Sequence, residues 1–333
     1  MKAIELRLSP NSKFHLGEYV EDQTTALFNT AHIIHSDVLF GAFISALVKI
    51  KPEKLASFKT YFQEAKLSIS SAFYLVKLKE GKEIYLLPKP VSLNLFQPKN
   101  IENFQVKKFK KIEFISKGVW EKGISPEEWF EGETCVMPNN KTLCLRSEVG
   151  DEKFELFAIN DEEKVNLTSL AEKNELYTRS NLEILGTENA KVSFYFLMKY
   201  DALPDEDKKI IKSVLELLIL NGIGGERYTG CGVVEAFEEK NFEINISDPA
   251  HKTVLLGLAF PKNLEKYHYY QTKVRGGMNF GANKRIKLLN AIQEGAIVSP
   301  DIESQIIDLS QDERKYWKYS SNIQLPLHKN YDL

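Results

Sequence analysis

Cysteine is scarce in this 333-residue chain, and the three present, Cys135, Cys144 and Cys231, form no C-x-x-C pair. An odd number without metal-ligand spacing argues against both a zinc site and a disulfide framework, so all three are expected to be reduced thiols. Long apolar runs are also missing, for no stretch approaches the ~20 residues that cross a bilayer. The opening MKAIELRLSP alternates polar and apolar residues like a strand and lacks the continuous apolar core of a signal peptide. These absences predict a cytoplasmic protein without a membrane partner. No Gly-Lys-Ser/Thr loop, His-Glu-x-x-His, Ser/His/Asp order or paired-carboxylate motif is visible, so neither a metal nor a cofactor is expected.

What remains is the composition of a soluble globular protein, 43% hydrophobic and 27% charged, long enough for two domains each with its own core. A net charge of -2 argues against indiscriminate nucleic-acid binding, but the average conceals two patches. Between His251 and Gln293, eight Lys or Arg face Glu265 alone, a balance of +7. From Glu148 to Glu175 nine acids face Lys153, Lys164 and Lys173, a balance of -6. One surface should attract a polyanion and another repel it.

The richest stretch runs from Leu203 to Glu235. Asp205, Glu206 and Asp207 open a helix whose apolar positions, Ile210, Ile211, Val214, Leu215, Leu217 and Leu218, recur at helical spacing. Gly222 stands at the helix end, and Gly224, Gly225, Gly230 and Gly232 follow too closely for a regular element to persist. The order helix, glycine loop, strand is the reverse of a phosphate loop or dinucleotide fingerprint. Gly222, Gly224, Gly230 and Gly232 instead complete Gly-x-Gly-x-x-x-x-x-Gly-x-Gly, with Arg227 and Tyr228 inside. This pattern after the last helix of a βαββαβ domain resembles the glycine loop of the RAMP superfamily, the RNA-binding proteins of CRISPR systems.

A second resemblance lies near the N-terminus. His35-Ser36-Asp37-Val38 followed by Leu39-Phe40 is similar to the signature of the glycine-loop subunit in type III-A CRISPR (Csm) complexes. By itself it also reads as a helix start with Ser36 or Asp37 at the N-cap. Tyr177 to Asn181, with Arg179, Glu294-Gly295-Ala296 and Ile323 to Leu327 add looser matches to the same subunit. The resemblance implies an α+β fold of two ferredoxin-like (RRM-like) domains packed face to face, residues 1–242 and 243–333, with an insertion at about 88–177 in the first. It further implies a subunit that anchors the repeat-derived 5′ handle of the CRISPR RNA and contacts the large polymerase-like subunit, the backbone RAMP subunit and the nearby guide-target duplex.

In chain order, strands are expected at Ala3 to Leu8, Leu67 to Leu78, Glu83 to Leu87, Lys191 to Lys199, Val233-Val234 and Thr253 to Phe260. Phe104 to Phe114 interleaves aromatics with Lys107, Lys108, Lys110 and Lys111. That suits a strand or hairpin lying against RNA, or equally a solvated strand with buried phenylalanines. By resemblance this arm is the thumb that wedges near the first guide-target base pairs. Tyr267 to Gly277 joins rings, cations and paired glycines able to contact phosphates and bases.

The RNA-binding candidates are therefore Lys13 and His15 in the first loop, His35, Ser36 and Asp37 in the signature, and Arg179. To these are added Gly222, Gly224, Gly225, Arg227, Tyr228, Gly230 and Gly232 in the glycine loop, and Lys273 and Arg275 in the basic segment. Loop and basic segment should form two walls of one cleft, with bare amides at Gly224 and Gly225 on phosphate oxygens. No catalytic set is expected. The alternative is a metal-independent repeat endoribonuclease drawing its acid and base from His15, His32 and His35. A nucleotide-binding regulator lacks any nameable acceptor for base or ribose.

Overall fold

The computed structural model describes residues 1–19, 27–98, 105–166, 175–279, 284–310 and 315–332. Strand β1 (Lys2–Arg7) turns Ile4 and Leu6 to one face, following its period-2 pattern. After the short β2 (Lys13–Phe14), helix α1 (Ser36–Ile50) buries Leu39, Phe40, Phe43 and Leu47, three or four residues apart. Helix α2 (Leu55–Gln63) was not expected from the sequence, because Phe58 and Phe62 alone anchor an otherwise exposed run. Strands β3 (Ser68–Leu78) and β4 (Glu83–Pro88) pair as a hairpin.

Next come α3 (Val106–Lys111), β5 (Phe114–Ser116), α4 (Lys117–Lys122), β6 (Thr134–Val136), β7 (Thr142–Leu145) and α5 (Arg146–Val149). The paired strands β8 (Phe157–Asn166) and β9 (Glu175–Ile184) follow, and β9 also pairs with β2. Strand β10 (Ala190–Lys199), helix α6 (Asp205–Asn221) and strand β11 (Ala236–Asn241) complete this half.

One sheet gathers eight of these strands in the order β11-β1-β10-β3-β4-β5-β7-β6. Its first four members are the fourth, first, third and second strands of a strand-helix-strand-strand-helix-strand series built from β1, α1, β3, β10, α6 and β11. All neighbours are antiparallel except β5 with β7. The stretch 88–177, where the sequence signals fade, therefore extends the sheet with three short strands. Trp120 and Trp129 are fully buried there and donate their ring N–H groups to the carbonyls of Pro326 and Ile124.

The lysine-aromatic stretch differs from its expected form. Phe104 lies outside the described residues, and Val106–Lys111 is a helix, not a strand. Phe109 and Ile112, three apart, point inward, while Lys107, Lys108, Lys110 and Lys111 are exposed. Phe109 packs against Trp129 at 5.0 Å and Phe114 stands edge-on to Tyr74 at 5.3 Å, so both rings belong to the core.

From residue 248 onward the described chain contains no α-helix, so it does not repeat the helix-bearing order of the first half. Its strands are β12 (Pro249–Leu255), β13 (Tyr267–Tyr269), β14 (Thr272–Arg275), β15 (Met278–Asn279), β16 (Lys284–Arg285) and β17 (Leu289–Ile292), then β18 (Ile297–Val298), β19 (Gln305–Asp308), β20 (Trp317–Ser320) and β21 (Gln324–His328). Four form a sheet in the order β13-β18-β12-β21, and β14-β17, β15-β16 and β19-β20 are separate pairs. β12 stops at Leu255, short of the expected Phe260, because the next backbone groups bond outside its sheet. The Leu256 carbonyl accepts from the Ser71 N–H, and the Leu258 N–H donates to Ser36 Oγ.

The two halves share a core instead of having one each. The main apolar cluster runs from Ile4, Phe40 and Phe194 into Leu256, Tyr319, Ile323 and Leu327, leaving two small satellites around Leu255 and Leu258. Tyr319 is fully buried, stacks on Phe40 at 5.2 Å, meets Phe62 edge-on at 5.0 Å and accepts from the Ile69 N–H. Thermal unfolding followed by calorimetry is expected to show one transition for both halves. Tyr319→Ala should lower stability by about 3–5 kcal/mol, the cost of emptying a large aromatic site. Two separable transitions would contradict a shared core.

Candidate nucleic-acid interface

The glycine loop is held from beneath. The Gly225 N–H donates to the His15 carbonyl at 2.8 Å and the Gly232 N–H to the Lys13 carbonyl at 2.7 Å, so the loop is stitched to the start of the chain. Close approach explains the glycines: a Cβ on Gly232, at φ +77°, would stand 2.1 Å from the Ile223 carbonyl oxygen. At Gly224, φ +95°, it would meet the His15 oxygen at 2.8 Å. What the glycines admit is the chain's own backbone. The Gly225 amide, expected to be bare, already has its acceptor, while that of Gly224 donates to no backbone carbonyl among the described residues.

Arg179 is 2% exposed and lies under this loop. Its guanidinium donates to Glu226 at 3.0 Å and Thr229 at 2.7 Å on the loop, and to Glu162 at 3.1 Å on β8. Hydrogen bonds from Lys13, first, then Lys164 and Arg179 hold the Glu162 carboxyl down to about 2. Glu226, a non-glycine residue at φ +54°, is fixed in this left-handed turn by that bond. The result is a short 3-10 turn, Arg227–Thr229, on which Arg227 and the wholly exposed Tyr228 point outward. Of the loop candidates, these two side chains are exposed, Arg227 with one hydrogen bond to the Asn221 carbonyl at 3.3 Å, whereas Arg179, His15 and Lys13 brace the loop. The His15 ring is buried against the Ser180 carbonyl at 3.0 Å.

The His35-Ser36-Asp37 signature forms a joint between the halves. Helix α1 begins after His35 at its N-cap, with no side-chain cap bond, so neither Ser36 nor Asp37 caps it. The Asp37 carboxylate accepts from Arg275 Nε at 3.0 Å and Nη2 at 2.8 Å, and from Lys318 Nζ at 2.6 Å, with all three residues buried. Burial alone would raise its pKa, but Lys318 and Arg275 hold it far below the usual carboxylate range. Ser36 Oγ accepts from the Leu258 N–H at 2.9 Å. His35 Nδ1 bonds Glu294 at 2.8 Å and its Nε2 lies 3.3 Å from Lys273. A carboxylate only accepts, so Nδ1 donates to Glu294. Burial opposes ionisation of Glu294, yet the field and hydrogen bond of His35, with Ser71, bring it down to about 2.

Arg275, expected on the wall of an RNA cleft as a cation, is thus an internal ion-pair partner, and Lys273 is bonded to Glu18. The glycine loop and the Lys273 segment are connected through residues 13–18. A cleft of about 320 Å³ opens between the halves, lined by His32, His35, Lys89, Lys110, Glu113, Lys273 and Glu294 among others. His32 stacks on Phe157 at 5.1 Å and sits 3.3 Å from Glu113. Burial lowers its pKa. Lys318, Glu294 as an ion-pair partner and Lys89 escaped the sequence reading; lone charged residues in apolar or loop segments carry no local pattern. Among the described residues no His/Cys/Asp/Glu group is arranged to hold a metal ion, and no helix is long and apolar enough to cross a membrane.

Residues 248–327 match the family model of the CRISPR Csm4 C-terminal domain. The chain is 26% identical over 350 residues to the CRISPR system Cms protein Csm4 of Methanocaldococcus jannaschii, covering 93% of this chain and 89% of that one. Its fold is similar to a chain of the crystal structure of the Csm3-Csm4 subcomplex in the type III-A CRISPR-Cas interference complex, at 22% identity and a TM-score of 0.64, covering 98% of this chain and 99% of the other. A chain of the Csm1-Csm4 cassette in complex with cA4 is similar at 19% identity and a TM-score of 0.57, with 98% of each covered. The chain is thus similar over nearly its whole length to Csm4 proteins, and its residues 248–327 match their C-terminal domain.

Two outcomes are expected on stability. Arg227→Ala and Tyr228→Ala should each stay within about 0.5 kcal/mol of wild type in urea unfolding, while Gly232→Ala should cost at least about 2 kcal/mol through strain and contact. Both carboxyls of the joint are depressed in the fold, so their contribution is complete above the ordinary carboxylate range and is lost on acidification from about pH 5 to 2. Asp37→Asn should flatten that part of the stability-pH curve; an unchanged acid limb would remove Asp37 from the account.

Proposed function

We propose that this chain is the RNA-binding subunit of a type III-A CRISPR interference complex, anchoring the repeat-derived 5′ handle of the CRISPR RNA. In this reading residues 1–242 form a ferredoxin-like RAMP domain and 243–333 a second domain on its flank. The 4-1-3-2 strand order with α1 and α6 supports the first assignment, and the family match at 248–327 supports the boundary. The single observation that carries the RNA reading is the turn Arg227–Thr229, where a buried scaffold presents an exposed guanidinium, bonded only to the Asn221 carbonyl at 3.3 Å among the described residues, and a fully exposed tyrosine ring. A guanidinium bonds phosphate or a base edge and a ring stacks on a base, and neither needs a catalytic group. The similar solved structures contain Csm3 or Csm1 beside Csm4, which supports a role linking the large polymerase-like subunit to the backbone RAMP subunits.

The four exposed lysines of α3 add a sequence-independent polyanion surface, and we assign them to the nearby guide-target duplex in place of a wedge of phenylalanines. His35 is bonded to Glu294 and Lys273 inside the joint, so it supports position and not proton transfer. Purified protein is expected to bind labelled repeat RNA without cutting it. Tyr228→Ala should weaken binding by ~1–3 kcal/mol, the worth of one stacked base, and Arg227→Ala should reduce the salt slope by about one. Product bands that vanish in His35→Ala would instead promote the repeat endoribonuclease.

A further inference from the structure

Lys89, at the exit of β4, is 8% exposed and faces the cleft between the halves. Among the described residues its ammonium has one hydrogen-bond acceptor, the Phe109 carbonyl at 3.2 Å, and it lies 5.0 Å from the Phe109 ring centroid. Three donors with one acceptor leave a buried cation under-satisfied. The carboxylates of the cleft are already engaged: Glu18 by Lys273, Glu113 by Lys141 at 3.1 Å and His32 at 3.3 Å, and Glu294 by His35 and Ser71. Among the described residues no carboxylate forms an ion pair with Lys89 or with Lys110, which lines the same cleft. A desolvated charge without a counter-ion is destabilising, and such groups gather where a ligand supplies the missing charge.

We propose that this cleft is an oxyanion site that takes a phosphate group of bound RNA, with Lys89 as its buried cation and Lys110 at its rim. A phosphate oxygen there accepts the N–H groups that Phe109 leaves free, and Lys110 adds a second charge from the mouth. The inference rests on the RNA-binding reading above and adds a site apart from the Arg227–Thr229 turn. Inorganic phosphate and nucleoside monophosphates offer the same oxygens, so both sources are tested.

Burial lowers Lys89 to about 8, with Glu113 pulling in the opposite direction. An anion favours the charged amine, so binding takes up a proton and weakens as pH rises from 7 to 9. His32, His35, Lys110, Lys273, Glu18, Glu113 and Glu294 also face the site. Lys89→Arg isolates Lys89 from all of them, because the guanidinium keeps its charge across this range.

The test is fluorescence anisotropy of labelled repeat RNA with the full chain at pH 7 and pH 9, at fixed and varied salt. Wild type, Lys89→Met, Lys89→Arg and Arg227→Ala are compared, with AMP and inorganic phosphate as competitors. Lys89→Met should weaken binding about tenfold at pH 7, lower the salt slope by about one and flatten the pH dependence. Lys89→Arg should keep most of the affinity and hold it at pH 9. Competition by phosphate or AMP in wild type alone assigns the site to free phosphates as well, and absence of competition assigns it to the polymer. Lys89→Met that melts like wild type and binds like it at both pH values overturns the proposal. If that variant does not fold, a Lys89→Arg protein with the wild-type pH dependence overturns it equally. A loss confined to Arg227→Ala leaves the RNA reading standing without this site, and a wild type that binds no RNA removes both.

Discussion

The joint around Asp37 is the constraint on which the rest depends. A single carboxylate in the first turn of α1 accepts from Arg275 and Lys318, two cations that arrive from separate strands of the other half. Buried ion pairs seldom add much net stability, since desolvation opposes attraction, but removing one partner leaves a charge with nowhere to go. The joint therefore selects one arrangement of the halves over its alternatives. His35 with Glu294 and Ser36 with the Leu258 amide repeat the lesson on either side, so three consecutive residues all reach across the same boundary.

That arrangement fixes the cleft, because its walls come from both sides. Lys89 and Glu113 are carried by the large sheet and the strands that extend it, while Lys273 and Glu294 come from the other half. The glycine loop is set by different means, through Arg179 below and the carbonyls of Lys13 and His15 beside it. The two are still joined, because the same segment, residues 13–18, bonds the loop at Lys13 and His15 and the cleft wall at Glu18.

Much of the first half was legible in the residues. The helical spacing of Ile210 to Leu218 and the apolar run of Lys191 to Lys199 placed α6 and β10 within a residue or two, and the glycine spacing marked a turn that few side chains tolerate. The Phe104 to Phe114 stretch misled because interleaved lysines and rings imitate period two, while the buried residues, Phe109 and Ile112, are three apart. Arg275 misled for another reason. A cation in a basic segment looks like a phosphate ligand until its partner is known, and Asp37 lies 238 positions away. Such pairings are written in three dimensions, so charge counts along the chain located the basic half without telling which of its cations are already engaged.

The shared core has a consequence for how the protein is made. Strand β21, which a ribosome adds more than three hundred residues into the chain, completes the sheet around β12 and gives the Pro326 carbonyl to Trp120, while Tyr331 closes over Trp129. Until that segment emerges, Trp120, Trp129 and Phe40 have only the part of their cover that the first half supplies, such as Phe109 on Trp129 and Phe62 on Phe40, and Asp37 lacks Lys318. Nascent chains of the first half must wait with these rings partly uncovered, a state that invites chaperone capture.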